Sequence, residues 1–144
     1  NLDAIVSTST IQWFHNVPLF FEKVANSLSN KGTFAFSTFG LQNFEEIKNT
    51  LNKGLEYISE AQIREYLEPY FTIESCHEWT EKLWFDSPIE VLQHIKKTGV
   101  SGFGGSYFGK KNLKEFTEKY SAHYTERGKV SITYNPIMFI AKKK

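Results

Sequence analysis

The chain has 144 residues, 40% hydrophobic, 23% charged and 16% aromatic, which suits one globular domain with a core and excludes a disordered segment. No run nears the roughly 18 consecutive apolar residues of a membrane span, no signal peptide is expected, and the single cysteine, Cys76, has no internal disulfide partner and joins no zinc-type Cys/His spacing, so a reducing, cytoplasmic setting is expected. The net charge of +1 conceals an asymmetry: residues 1–95 carry 6 basic and 13 acidic side chains, net −7, and residues 96–144 carry 11 and 3, net +8, a basic third that steers an acidic partner unless its lysines only solvate helices.

Leu2-Asp3-Ala4-Ile5-Val6-Ser7 reads as a buried strand ending at Ser7-Thr8-Ser9-Thr10. A central-type strand at the very start, with no initiator Met, suggests a chain cut from something longer. A helix follows, with Asn16 as N-cap, Pro18 in the first turn and Val17, Phe20, Phe21, Val24 and Leu28 along one apolar stripe. Asn30-Lys31-Gly32 is its expected stop, and Thr33 to Thr38 is the next strand. Two strands around one helix make a β-α-β unit with parallel strands.

Two helices come next. One runs from about Asn43, with Glu45 and Glu46 in its first turn, and the other runs from Ser59, paired with Gln62 in a capping box, to near Pro69. Tyr70 to Trp79 reads as a strand, extending through Lys82 to Phe85. Ser87-Pro88-Ile89-Glu90 is a strong helix start, with Val91, Leu92 and Ile95 turned inward and a stop at Gly99. The five glycines between Gly99 and Gly109 suggest a loop, and no Gly-Lys-Ser/Thr follows to make it a phosphate loop. Asn112 to Tyr124 is expected to be helical. Lys129 to Ala141 reads as a closing strand, buried on both faces along Ile137 to Ile140 and with a bulge or edge at Pro136.

The side chains offer no defensible Ser/His/Asp set. His15, His77, His94 and His123 are scattered, and Cys76 sits mid-strand as a small hydrophobe. The carboxyl ends of the first two strands are more informative, because ligands of open α/β sheets bind there. Ser7 to Thr10 allow close backbone approach, Gln12 adds an amide, Trp13 an indole wall, and Ser37 to Gly40 should lie beside them.

Leu2 to Ser7 through Ile11-Gln12-Trp13, then Leu28 to Gly32 and Phe34-Ala35-Phe36-Ser37-Thr38-Phe39-Gly40, resemble strands four and five of class I S-adenosylmethionine-dependent methyltransferases. Leu83-Trp84-Phe85-Asp86-Ser87-Pro88, Glu90-Val91-Leu92, Lys96-Lys97-Thr98-Gly99-Val100 and the terminal Thr133-Tyr134 narrow the resemblance to the malonyl-acyl carrier protein O-methyltransferases of biotin biosynthesis. The resemblance implies an α/β fold, the C-terminal half of a Rossmann-like domain, over residues 1–144. Its mixed sheet would have family strand order 4-5-7-6 with flanking helices, and the closing strand would sit between the second and third strands of this chain.

The family's Gly-rich turn and ribose-binding acid have no counterpart here, so the N-terminal cofactor-binding half is expected to be absent and the fragment inactive alone. By resemblance, Ser7, Thr8, Ile11 and Gln12 line the S-adenosylmethionine site, and Trp13, Phe39 and Trp84 form a hydrophobic wall beside the acyl thioester arm. No catalytic acid or base and no metal is implied. Lys96, Lys97, Lys110, Lys111 and Lys114 would dock an acidic acyl-carrier protein. No nucleic acid or membrane partner is expected, and the unpaired side of the first strand invites self-association. Two alternatives stay open: a class I methyltransferase with another small acceptor, and a non-catalytic α/β module that docks an acidic protein through its basic third.

Overall fold

A computed structural model of the chain describes residues 1–52, 56–98 and 109–144. In chain order the elements are β1 (Leu2–Thr8), a 3-10 turn (Ile11–Trp13), α1 (Val17–Ser27), β2 (Leu28–Phe39), α2 (Glu45–Leu51), α3 (Glu60–Leu67), β3 (Phe71–Glu78), β4 (Glu81–Phe85), α4 (Pro88–Lys97), α5 (Lys110–Tyr124), β5 (Thr125–Glu126), β6 (Lys129–Tyr134) and β7 (Pro136–Lys143). They form two compact units: Asn1–Asn43 with Glu56–Thr80 and Asn135–Lys144, and Phe44–Leu55 with Glu81–Tyr134.

The first unit holds a four-stranded sheet in the order β1-β2-β7-β3. β1 runs parallel to β2, with Ala4 opposite Thr33 and Thr8 opposite Ser37. β7 runs antiparallel to both β2 and β3. The closing strand therefore lies between the second and third strands of this sheet, as the resemblance implies. α1 begins where expected: Asn16 Oδ1 accepts from Leu19 N at 3.0 Å and Pro18 occupies the first turn. Its apolar stripe and that of α3 cover one face of the sheet. Phe34 sits at the centre of that core, with the rings of Phe20, Phe21, Phe36 and Phe71 4.7–6.2 Å away.

Several boundaries differ from expectation. α1 ends at Ser27, and Leu28 opens β2 five residues earlier than read from sequence. Leu28 is fully buried and its backbone is extended, so packing claims it for the sheet. Asn30-Lys31-Gly32 is a kink inside β2. Lys31 takes a left-handed φ of 61°, and a Cβ on Gly32 would meet Ser29 O at 2.9 Å. The closing segment is two strands in two sheets, parted at Asn135, and Pro136 opens the second of them where its missing N–H is tolerated. Burial along β7 is one-sided: Ile137 and Phe139 are buried, whereas Met138 and Ile140 are 49% and 41% exposed. The same bare face carries Val6, 71% exposed and in one row with Ala35 and Ile140.

The second unit holds a three-stranded antiparallel sheet in the order β4-β6-β5, with α2, α4 and α5. β4 does not extend β3 but belongs to this separate sheet. Ser87 caps α4 as expected, accepting from Glu90 N at 3.3 Å, while the Glu90 carboxylate accepts from Asp86 N at 3.0 Å. The core gathers Phe44, Ile47, Val91, Ile95, Phe116, Tyr120, Val130 and Ile132. β5 is so short that, among the described residues, the outer edge of β6 has no strand beyond Val130. The start of α2 takes its place: Phe44 N donates to Thr133 O at 2.8 Å, and the buried Glu46 carboxylate accepts from Thr133 N at 2.9 Å, Thr133 Oγ1 at 2.6 Å and Ser131 Oγ at 3.3 Å. Most of the expected glycine-rich loop, Gly99 to Phe108, lies outside the described residues.

Candidate functional site

One side chain, Gln12, bridges the carboxyl ends of β1 and β2 beside their backbone contacts. After Thr8 the chain turns sharply: Ser9 has φ 50° and donates its N–H to Ser37 O at 3.0 Å. Thr10 Oγ1 then donates to Thr8 O at 2.8 Å, and a 3-10 turn follows. Gln12 Nε2 donates to Ser9 O at 2.7 Å, and Gln12 Oε1 accepts from Thr38 Oγ1 at 3.3 Å. The Gln12 amide thus ties the two strand ends together at the carboxyl end of the parallel pair, the end at which open α/β sheets bind ligands.

The first-unit residues singled out from sequence divide by exposure. Thr8 is exposed; Ser7, Gln12 and Phe39 are half-buried. Ile11 is fully buried in the core, backbone included, so it presents no surface at the strand ends and the expectation that it lines the cofactor site is not met. Trp13 is 44% exposed, an indole held out from the surface by the 3-10 turn. Phe39 packs edge-on against Tyr57, ring centroids 6.5 Å apart, and the Tyr57 hydroxyl accepts from Asn43 Nδ2 at 3.0 Å. Trp84 belongs to the second unit, on β4 opposite Ser131, and is 41% exposed.

Gly40, at the end of β2, has a reason visible only in three dimensions. Its N–H donates to Asn135 O at 2.8 Å, and a Cβ there would stand 2.4 Å from Asn135 Oδ1 and 2.7 Å from Glu78 Oε1. Asn135 is 1% exposed and uses both ends of its amide. Oδ1 accepts from Gln42 N at 3.1 Å, and Nδ2 donates to Trp79 O at 2.9 Å and Glu78 Oε1 at 3.2 Å. Its backbone N–H donates to Asn43 Oδ1 at 2.9 Å. This one asparagine locks the ends of β2 and β3 onto the start of β7. No local signal marks it, since its side-chain partners lie 56 to 93 residues away.

The five lysines all belong to the second unit. Lys96 and Lys97 sit in the last turn of α4, and Lys110, Lys111 and Lys114 at the start of α5; all five are exposed. Among the histidines, His94 shares a 2.8 Å hydrogen bond with the Tyr134 hydroxyl, whose pKa is raised by burial, and His123 Nδ1 meets Lys119 O at 2.9 Å. Burial and a hydrogen bond to the Glu60 carboxylate push the Cys76 thiol up to about 11, so it is protonated and unreactive at neutral pH. No group of three or more His, Cys, Asp and Glu suited to a metal occurs among the described residues. No helix there is long and apolar enough to cross a membrane.

The sheet order and parallel β1-β2 pair place the chain in the Rossmann-like methyltransferase fold. It superposes on the YcgJ protein of Bacillus subtilis with TM-score 0.66 at 13% identity, covering 99% of this chain and 64% of that one. It superposes on the 4+2 cyclase SpnF with TM-score 0.52 at 12% identity, covering 99% and 49%. Within that fold the sequence is similar to proteins named malonyl-acyl-carrier-protein O-methyltransferase. It is 37% identical to the one from Bacteroides thetaiotaomicron over 97% of this chain, and 37% identical to the one from Haemophilus influenzae over 97%. It covers 58% and 54% of those relatives, so the chain spans about half the length of the curated relatives it matches. No protein-family model matches the chain.

Proposed function

We propose that the two units form the C-terminal part of one S-adenosylmethionine-dependent methyltransferase domain that esterifies the free carboxylate of a malonyl thioester on an acyl-carrier protein, in biotin synthesis in the cytoplasm. The carrying observation is the 37% identity along 97% of the chain to relatives bearing that name. A fold match alone would not support it, since a cyclase has the same fold.

The fit of this chain to the cofactor is partial. Ser7, Thr8 and Gln12 would form one wall of the site, with Ile11 buried behind them, and the turn that would grip the methionine end has no counterpart in the sequence. When bound, the cofactor supplies an electrophilic sulfonium methyl group and keeps the S–C electron pair as the methyl leaves. A malonyl carboxylate is already ionised at neutral pH, so no side chain of this chain has to remove a proton. What the protein must add is alignment and the exclusion of water from the attacking oxygen. Trp13, Phe39 and Trp84 are the large apolar surfaces proposed to exclude it. Lys96, Lys97, Lys110, Lys111 and Lys114 give the acidic carrier a surface of opposite sign. Taken alone, the chain would be inactive and would associate through the unpaired outer edge of β1.

The test is calorimetry with S-adenosylhomocysteine, followed by mass spectrometry of malonyl-acyl-carrier protein after incubation with S-adenosylmethionine. The complete reading frame should bind and add one methyl group, while residues 1–144 alone should bind little or none. A complete product that binds the cofactor yet leaves both the malonyl carrier and malonyl-coenzyme A unmodified would replace this reading with that of a transferase for another acceptor.

A further inference from the structure

An open groove of 380 Å³ lies between α4 and α5, lined by Ile89, Lys110, Leu113, Lys114, Thr117 and Glu118. Its floor is apolar and its rim charged, the anatomy of a protein-docking spot rather than of an enclosed small-molecule site. Ile89 is the telling residue. Val91 and Ile95 turn the inner side of α4 into the core, yet Ile89, in the first turn of the same helix, is 43% exposed.

Among the described residues, little in α5 holds the lysines beside it. The N-terminal end of a helix favours negative charge. α5 has no acidic residue in its first turn and no side-chain cap from Gly109, and Lys110, Lys111 and Lys114 stand at that end. Their placement opposes the helix dipole. Lys114 lies 3.9 Å from Glu118, but both side chains are mostly exposed, and such a pair holds its members weakly. Lys96 and Lys97 differ. They occupy the last turn of α4, where positive charge suits the dipole, roughly 10 Å along the helix from Ile89.

We propose that this groove is the anchor point for the acyl-carrier protein: an apolar side chain on an acidic helix of the carrier seats on Ile89 and Leu113, and carboxylates flanking it pair with Lys110 and Lys114. The inference rests on the carrier-dependent reading above and narrows it. Of the five lysines, those at α5 contact the carrier, and Lys96 and Lys97 contribute only to the long-range field. An apolar centre with charges at its rim concentrates binding energy at the centre, and the rim sets approach and register.

The test is titration of isotope-labelled holo-acyl-carrier protein with the 144-residue chain at low salt, read by nuclear magnetic resonance. Ile89→Glu and Lys110→Glu should each raise Kd about tenfold, and Lys97→Glu less than about threefold. Circular dichroism checks that each variant is folded, and Ile89→Ser serves if Ile89→Glu is not. Carrier binding that ignores Ile89→Glu and Lys110→Glu, or no carrier binding at all, overturns the groove. Malonyl-coenzyme A, which has no protein to dock, separates the two ideas in the complete reading frame. If it is methylated while the groove variants leave carrier binding unchanged, the transferase reading stands and the groove falls. If neither malonyl thioester is methylated but Ile89→Glu still weakens carrier binding, the groove stands and the transferase reading falls.

Discussion

Asn135 joins the strand ends of the first unit, and its replacement has a cost that can be worked from its partners. Asn135→Ala deletes three side-chain hydrogen bonds, to Gln42 N, Trp79 O and Glu78 Oε1, at a position 1% exposed. At about 1 kcal/mol for each neutral bond and somewhat more for the one to a carboxylate, the loss is about 3–4 kcal/mol. For a chain of this size that lowers Tm by roughly 10 °C. Asn135→Asp should be worse at neutral pH, although it is nearly isosteric. It turns an oxygen toward Trp79 O and the Glu78 carboxylate where an N–H₂ now donates. Glu78 is exposed, so solvent screens the repulsion, which adds about 1–2 kcal/mol. The repulsion raises the new carboxyl's pKa in the folded chain, so the deficit should shrink as pH falls toward about 4, where the unfolded chain's carboxyl also takes up its proton.

Gly40→Ala attacks the same network from the other side, through a Cβ 2.4 Å from Asn135 Oδ1. Alone it should cost about 2–3 kcal/mol. In the Asn135→Ala background the clash with Oδ1 disappears, and the exposed Glu78 carboxylate, 2.7 Å from the new Cβ, loses its bond to Asn135 Nδ2 and can swing away, so the double variant should fall short of additivity by about 2 kcal/mol. Urea unfolding followed by circular dichroism measures all four corners of the cycle. Additivity within about 0.5 kcal/mol, or a cost below about 1 kcal/mol for Asn135→Ala, refutes the argument.

Three further outcomes are expected. Glu46→Ala should destabilise by about 2–3 kcal/mol because it strands the buried Thr133 N–H, and Glu46→Gln by less because an acceptor oxygen remains; equal urea midpoints for the two variants would contradict this. Cys76, with its pKa at about 11 against an ordinary 9.0, should alkylate roughly a hundredfold more slowly at pH 8 than an unhindered thiol, a rate that iodoacetamide and mass spectrometry measure. The same shift predicts stability that is intact below about pH 9 and declines as pH rises from there toward 11, since the unfolded thiol gives up its proton first. Sedimentation of the isolated chain should reveal concentration-dependent association that Val6→Lys suppresses, and a wild-type monomer at all concentrations would remove the β1 edge from consideration.

Local chemistry made much of the fold legible. The caps Asn16, Ser59 and Ser87 accept from the backbone N–H groups their spacing promised, because a cap needs only the next three residues. Thr33 to Thr38 reads as a strand and lies within β2, where Phe34 and Phe36 share the buried face at the two-residue period of a strand. The Ser7-to-Gln12 and Ser37-to-Gly40 segments were recognisable as a pair of strand ends, and Gln12 does bridge them.

What tertiary structure alone decided were the points where distant segments compete for the same residue. Leu28 had a helical period, yet burial in the sheet core took it from α1. Lys129 to Ala141 looked like one strand, but Asn135 is pinned by Asn43 and Glu78, and the chain changes sheets there. The exposure of Met138 and Ile140 depends on what covers the second face of the sheet, which no property of those residues encodes. Glu46 read as a helix-terminal acid, and its role as the stand-in for a missing strand beside Thr133 follows from the shortness of β5, 79 residues further on. Propensity, capping and periodicity act over a few residues and are read directly from sequence. Partners across a sheet, and the buried polar groups that join its ends, depend on which segments meet, and only the packed chain determines that.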